Sequence, residues 1–183
     1  NSLIDLSSVT HLDGGTGFDY AHSVTASNGG TIQLNQTGAT TISSTTSVMA
    51  ETGTLTAETL ELMSGGSSTV AGTITGHLIN AGTMAVDDAR GVLTVTGDFT
   101  QRSTGTMAVQ LGGLVAGINH DQLRVLGTGW LDGTLAVSTV SGYTPALGDS
   151  YTVWVANSRR GQFSNVTGVN TGGGVGVQGV YTD

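Results

Sequence analysis

One stretch of the sequence has a metal-binding spacing. Gly14-Gly15-Thr16-Gly17-Phe18-Asp19-Tyr20-Ala21 follows the calcium nonapeptide Gly-Gly-x-Gly-x-Asp, with Ala21 in place of a large apolar residue. Backbone carbonyls and the carboxylates of Asp13 and Asp19 would wrap a hard cation there. Such sites form between adjacent copies of the motif, and the chain carries one copy, so a glycine-rich turn is the competing reading. Calcium is the one cofactor the sequence suggests.

Other candidate chemistry is thinner. Gly174-Val175-Gly176-Val177-Gln178-Gly179 has dinucleotide-type glycine spacing, but no helical pattern follows it. Asp87-Asp88 with Arg90 raises a polysaccharide-cleaving groove, yet adjacent strand residues point to opposite faces and would not pair their carboxylates. His11, His22, His77 and His120 are scattered, and neither a Gly-x-Ser-x-Gly elbow nor a His-Glu-x-x-His helix occurs. The expectation is a protein without catalytic residues.

Two binding surfaces can also be read from the sequence. Thr54 and Thr56, Thr73 and Thr75, and Thr94 and Thr96 repeat as Thr-x-Thr, which would form a flat ladder if successive strands stack in register. Ice-binding β-solenoids use such ladders, although threonine is in any case a favoured outward strand residue. Trp130, Tyr143 and Trp154 could form a sugar-stacking platform, against the commoner reading that they are core aromatics of the cap. Alternation places Tyr151, Val153 and Val155 on one face, so Trp154 is expected on the other and is the candidate ligand-binding residue.

Composition narrows what can position these residues. Glycine and threonine each number 30 in 183 residues, with one proline, and both types are poor helix formers. Sparse charge and a mean hydropathy of +0.11 argue for a folded all-β chain rather than disorder. The net charge is −8, with five arginines and no lysine. A duplex-binding face needs clustered cations, so nucleic acid is excluded as a partner, and so is docking on an anionic membrane. No apolar run reaches the ~20 residues of a spanning helix, so no membrane insertion is expected. Without lysine or cysteine, Schiff-base, P-loop, thiolate and disulfide chemistry are all absent, which suits an extracellular setting.

A phrase of glycine, threonine and alternating apolar residues recurs. It reads Gly30-Thr31-Ile32-Gln33-Leu34, Gly53-Thr54-Leu55-Thr56-Ala57, Gly72-Thr73-Ile74-Thr75, Gly82-Thr83-Met84-Ala85-Val86, Gly105-Thr106-Met107-Ala108-Val109 and Gly133-Thr134-Leu135-Ala136-Val137. Ser2 to Ser7 aligns with Gly30 to Asn35 at an offset of 28. Each copy reads as a strand with one buried face, entered through a glycine bend. Spacings near twenty residues or half of that predict a parallel β-solenoid, with Leu55 and Ile74 inward. Residues 1–111 are read as the solenoid. Residues 112–183, richer in aromatics, are read as a more antiparallel C-terminal β cap.

The ordered series Asp121-Gln122-Leu123-Arg124-Val125, Leu131-Asp132-Gly133-Thr134-Leu135-Ala136-Val137, Gly142-Tyr143-Thr144-Pro145 and Gly148-Asp149-Ser150-Tyr151-Thr152-Val153 is similar to the C-terminal region of large bacterial cell-surface proteins with right-handed β-helices, autotransporter-like adhesins among them. The segments around Leu3 and Gly30 resemble their repeats. The resemblance implies a right-handed parallel β-helix, an extracellular or cell-surface location, and a non-enzymatic structural or adhesive role. That role is a stiff stalk or a self-assembling fibre subunit, whose partners are further copies of itself or cell-surface glycans. The alternatives are a carbohydrate- or ice-binding solenoid and a polysaccharide-degrading β-helix enzyme.

Overall fold

The computed structural model describes residues 2–13, 22–43, 46–86, 90–168 and 178–181. Among these the chain is all-β: fifteen strands in one sheet system and no helix. Apolar and polar residues alternate along the strands between residues 31 and 139, which bury one face and leave the other toward solvent, whereas the strands at either end hold no fully buried residue.

The strands pair in three parallel ladders. The first joins β1 (Leu3–Asp5), β4 (Thr31–Gln33), the middles of β6 (Thr46–Leu62) and β7 (Ser67–Asn80), β9 (Val92–Val95), and the starts of β12 (Gln122–Leu131) and β14 (Trp154–Gly161). The second joins β2 (His11–Asp13), β5 (Ala39–Ser43), the ends of β6 and β7, β10 (Phe99–Gln101), and the ends of β12 and β14. The third joins β3 (His22–Thr25), the starts of β6 and β7, β8 (Thr83–Val86), β11 (Thr106–Leu111), β13 (Thr134–Thr139) and β15 (Asn165–Gly168). The chain visits first, second and third ladder in that order and then repeats. Leu3 pairs with Thr31 and Asp5 with Gln33, the register of the sequence offset.

Inward residues stack on their own kind. Ile32, Leu55, Ile74, Val95 and Val125 form one buried column, as expected for Leu55 and Ile74. Val48, Val70 and Val86 form another, and Met84, Met107 and Leu135 a third. One inner column turns polar: Leu62 pairs with Asn80 and Asn80 with Gln101. The Asn80 amide donates to Gln101 Oε1 at 2.9 Å and to the Thr106 carbonyl at 3.0 Å, while Gln101 Nε2 is buried without a hydrogen-bond partner.

The recurrent Gly-Thr phrase has a backbone cause. Thr54, Thr106 and Thr134 N–H groups donate to the carbonyls of Gly30, Gly82 and Gly105, the corner glycines of the neighbouring rung. At Gly72, φ is +79°, and a Cβ there would overlap the Ala50 carbonyl of the rung beneath.

The expected antiparallel character beyond residue 112 is not observed. β12, β13, β14 and β15 continue the same parallel ladders, and the antiparallel pairing among the described residues is an isolated bridge, Leu111 to His120. The alternation and corner glycines persist there, so the same pairing persists. What changes is the length of two corner connections, residues 112–121 and 140–153, which hold His120, Asp121, Tyr143, Asp149 and Tyr151.

Candidate functional site

The second ladder carries one outward column through the molecule. It reads His11, Thr41, Glu61, Ile79, Thr100, Trp130 and Arg160, each paired with the next. At the β2 end, His11 Nδ1 lies 2.6 Å from Thr41 Oγ1, and its Nε2 3.1 Å from Ser43 Oγ. At the other end, buried Gly129 and Leu131 flank Trp130 and force its indole outward, where the residue is 39% exposed. Thr100 stands on one side and exposed Arg160 on the other, with Thr128 paired to Ser158 one step along.

The carboxylates beside this face are already bonded. Asp98 Oδ1 accepts the Thr128 N–H at 2.7 Å, and its Oδ2 lies 3.7 Å from His77 Nδ1. Asp132 Oδ1 accepts the Gly133 N–H at 2.7 Å and the Ser164 hydroxyl. The Ser164 bond first, then the Gly133 N–H, hold the Asp132 carboxyl below the usual carboxylate range.

The two long corner connections pack on one another. His120 and Asp121 are buried. Asp121 accepts the Gly91 N–H at 3.2 Å and the Gln110 N–H at 2.7 Å, tying the corner to two neighbouring rungs. His120 Nδ1 lies 3.0 Å from the Gly113 carbonyl, which sets that nitrogen as the donor, and its ring meets Tyr151 edge-on at 5.5 Å. Tyr151 donates to Asp149 Oδ2 at 2.9 Å, and its hydroxyl lies 2.5 Å from that of Tyr143. Burial first, then the bonds to Tyr143 and Asp149, push the Tyr151 phenol well above its ordinary value of 10.0. Bonded to one another and met edge-on by His120, these side chains clamp the two corner connections together.

Beyond the clamp lies a cavity of about 1050 Å³, walled by Leu135, Val137, Val155 and Phe163 with Trp154 and Tyr181 at its side. Trp154 belongs to this interior. Leu123 pairs with Trp154 in the inward column that also holds Leu93, and the indole packs against Gly129. Its Nε1 is buried without a hydrogen-bond partner. This corrects the expected outward placement. Strand β14 begins at Trp154, so the alternation read from Tyr151 onward does not carry into it. Trp130, on a regular strand, is the exposed indole.

The threonine ladder forms in part. Thr56 pairs with Thr75, Thr73 with Thr94, and Thr31 with Thr54. Thr96 leaves it at a corner, where its Oγ1 accepts the Gly76 N–H at 3.1 Å. Thr94 is followed by Arg124, which ends the threonine run. Asp13 closes β2, whereas Asp19 and the glycine-rich motif lie outside the described residues. Among the described residues there is no group of three or more His, Asp or Glu side chains suited to a metal ion. No protein-family model, curated protein or solved structure matches the chain.

Two elements escaped the sequence reading. The Tyr143–Tyr151–Asp149 clamp and the Trp130–Arg160 pair join residues whose spacing, 8 or 30 apart, has no strand or helix period. The offset of 28 between repeats was the available signal for the second pair, since carrying it past residue 130 brings the partner strand close.

Proposed function

We propose that the chain is a non-enzymatic structural and adhesive module of an extracellular bacterial surface protein, and that its ladders are the sides of a right-handed parallel β-helix. The observation that carries this reading is the order of the ladders: first, second and third, revisited in sequence with every ladder parallel. Such a stack derives stiffness from hydrogen bonds running along its length and from unbroken inner columns. Its sides are then free to carry any side chain without disturbing the core. Further copies of the chain or cell-surface glycans are proposed as its partners. The absence of lysine and cysteine supports an extracellular location.

Electron microscopy with light scattering of the purified chain, with and without calcium, tests the assembly. Linear particles are expected if the edges self-associate, and a discrete monomer would restrict the role to a passive adhesive segment. New reducing ends released from a polysaccharide would overturn the non-enzymatic reading. A left-handed course of the chain in a crystal structure would overturn the architecture.

A further inference from the structure

We propose that the outer face of the second ladder around Trp130 and Arg160 binds an acidic polysaccharide. The inference rests on the adhesive reading above and names its ligand class and its surface.

The patch is built from three successive rungs of one ladder, so its side chains are spaced by the sheet at about 4.8 Å. Thr100, Trp130 and Arg160 occupy one outward column. Thr128 and Ser158 form the adjacent outward pair, and Arg102 stands exposed just past the end of β10. Each component matches one part of a sugar acid. The indole offers a flat apolar surface to the C–H face of a pyranose, hydroxyls meet ring hydroxyls, and the Arg160 guanidinium takes a carboxylate or sulfate in its fork. The indole is not held there by the core, because Leu131 on one side and the Trp154 indole over Gly129 on the other already fill the interior.

Charge selects the acidic class and this location. All five arginines fall between residues 90 and 160, while the chain before Arg90 holds acids and no arginine or lysine. With a net charge of −8, most of the surface repels a polyanion, so an acidic glycan is drawn to the part that pairs an exposed arginine with an exposed indole. The nearby carboxylates of Asp98 and Asp132 keep their negative charge while accepting N–H and hydroxyl donors within the fold, so it is the exposed guanidinium that the anion must reach.

The test is biolayer interferometry of the intact chain on immobilised polygalacturonate and heparin, with dextran as the neutral glycan and an oligothymidylate as the polyphosphate. The expected result is binding to polygalacturonate or heparin over dextran and oligothymidylate, weakening as salt rises. Trp130→Ala and Arg160→Gln should each lose about tenfold or more in affinity, as a central aromatic or arginine contact does. Thr54→Ala, on the first ladder, should bind as the parent. Because both test residues point outward, the thermal unfolding midpoint should not change. Acidic-glycan binding that survives both substitutions overturns this surface while leaving an adhesive role elsewhere on the stack. Equal binding to dextran or oligothymidylate overturns the ligand class. No glycan binding by a correctly stacked chain overturns the inference and leaves the structural module intact.

Discussion

The outer faces of the first and second ladders share one backbone and differ in what they display. On the first, Thr31, Thr54, Thr73 and Thr94 present short branched side chains from neighbouring rungs. On the second, Thr100 is followed by Trp130 and Arg160. Inside, both ladders hold buried columns, aliphatic in the first and, in the second, aliphatic giving way to Asn80, Gln101 and Phe99. Parallel pairing and core packing are thus indifferent to the outward residue, and the module separates what holds it together from what it could bind.

The largest effect should come from crossing between those two roles on neighbouring residues. Leu55→Asp removes burial of about 1.5–3 kcal/mol and places an unpaired carboxylate in the column, so the chain should not fold. Thr54→Asp, one residue away and outward, should stay within roughly 0.5 kcal/mol of the parent. Denaturant unfolding followed by circular dichroism compares them, and equal stabilities would contradict the inward assignment. The two tryptophans make the same comparison at the other end of the stack. Trp154→Ala should cost about 2–4 kcal/mol through lost interior packing, whereas Trp130→Ala should leave stability within about 0.5 kcal/mol. A reversal would place the indoles the other way round.

A smaller loss is expected from the polar rung. Asn80→Ala strips hydrogen bonds from Gln101 and from the Thr106 carbonyl, at about 1–3 kcal/mol for the buried groups left unpaired. Asn80→Leu, continuing the column of Leu62, should recover part of that loss in the same denaturation experiment.

The smallest effect is the pH dependence of the corner clamp. The Tyr151 phenol is raised in the folded chain, so folded protein retains a proton that unfolded chain gives up above pH 10.0. Stability from this group is full below that pH and declines as pH climbs past it. Absorbance titration at 295 nm should show one fewer phenol ionising near 10 in folded than in unfolded protein. Tyr151→Phe should remove that difference, and an unchanged titration would show that the clamp does not exist in solution.

Much of the strand pattern could be read locally. In Gly53-Thr54-Leu55-Thr56-Ala57 the period of two assigns Leu55 and Ala57 to the interior, and both are buried. The leading glycines mark corners because a side chain at Gly72 would meet the rung beneath. The same local logic failed at Trp154, where a strand start three residues later than extrapolated reversed the phase. It also suggested a change of pairing at residue 112, where only the corner length changes.

By itself, then, the sequence determined that this is an all-β chain, that its apolar and polar residues divide between an inner and an outer face, and that glycine turns its corners. These follow from the two-residue period of a strand and from glycine's missing Cβ, both of which act over a few residues. Only the tertiary structure decided which strands are neighbours, that Trp130 stands beside Arg160, and that Tyr143, Tyr151 and Asp149 converge. Those placements depend on how many residues each corner consumes before the next rung begins, and on packing between rungs far apart in the chain. Neither leaves a local period to read.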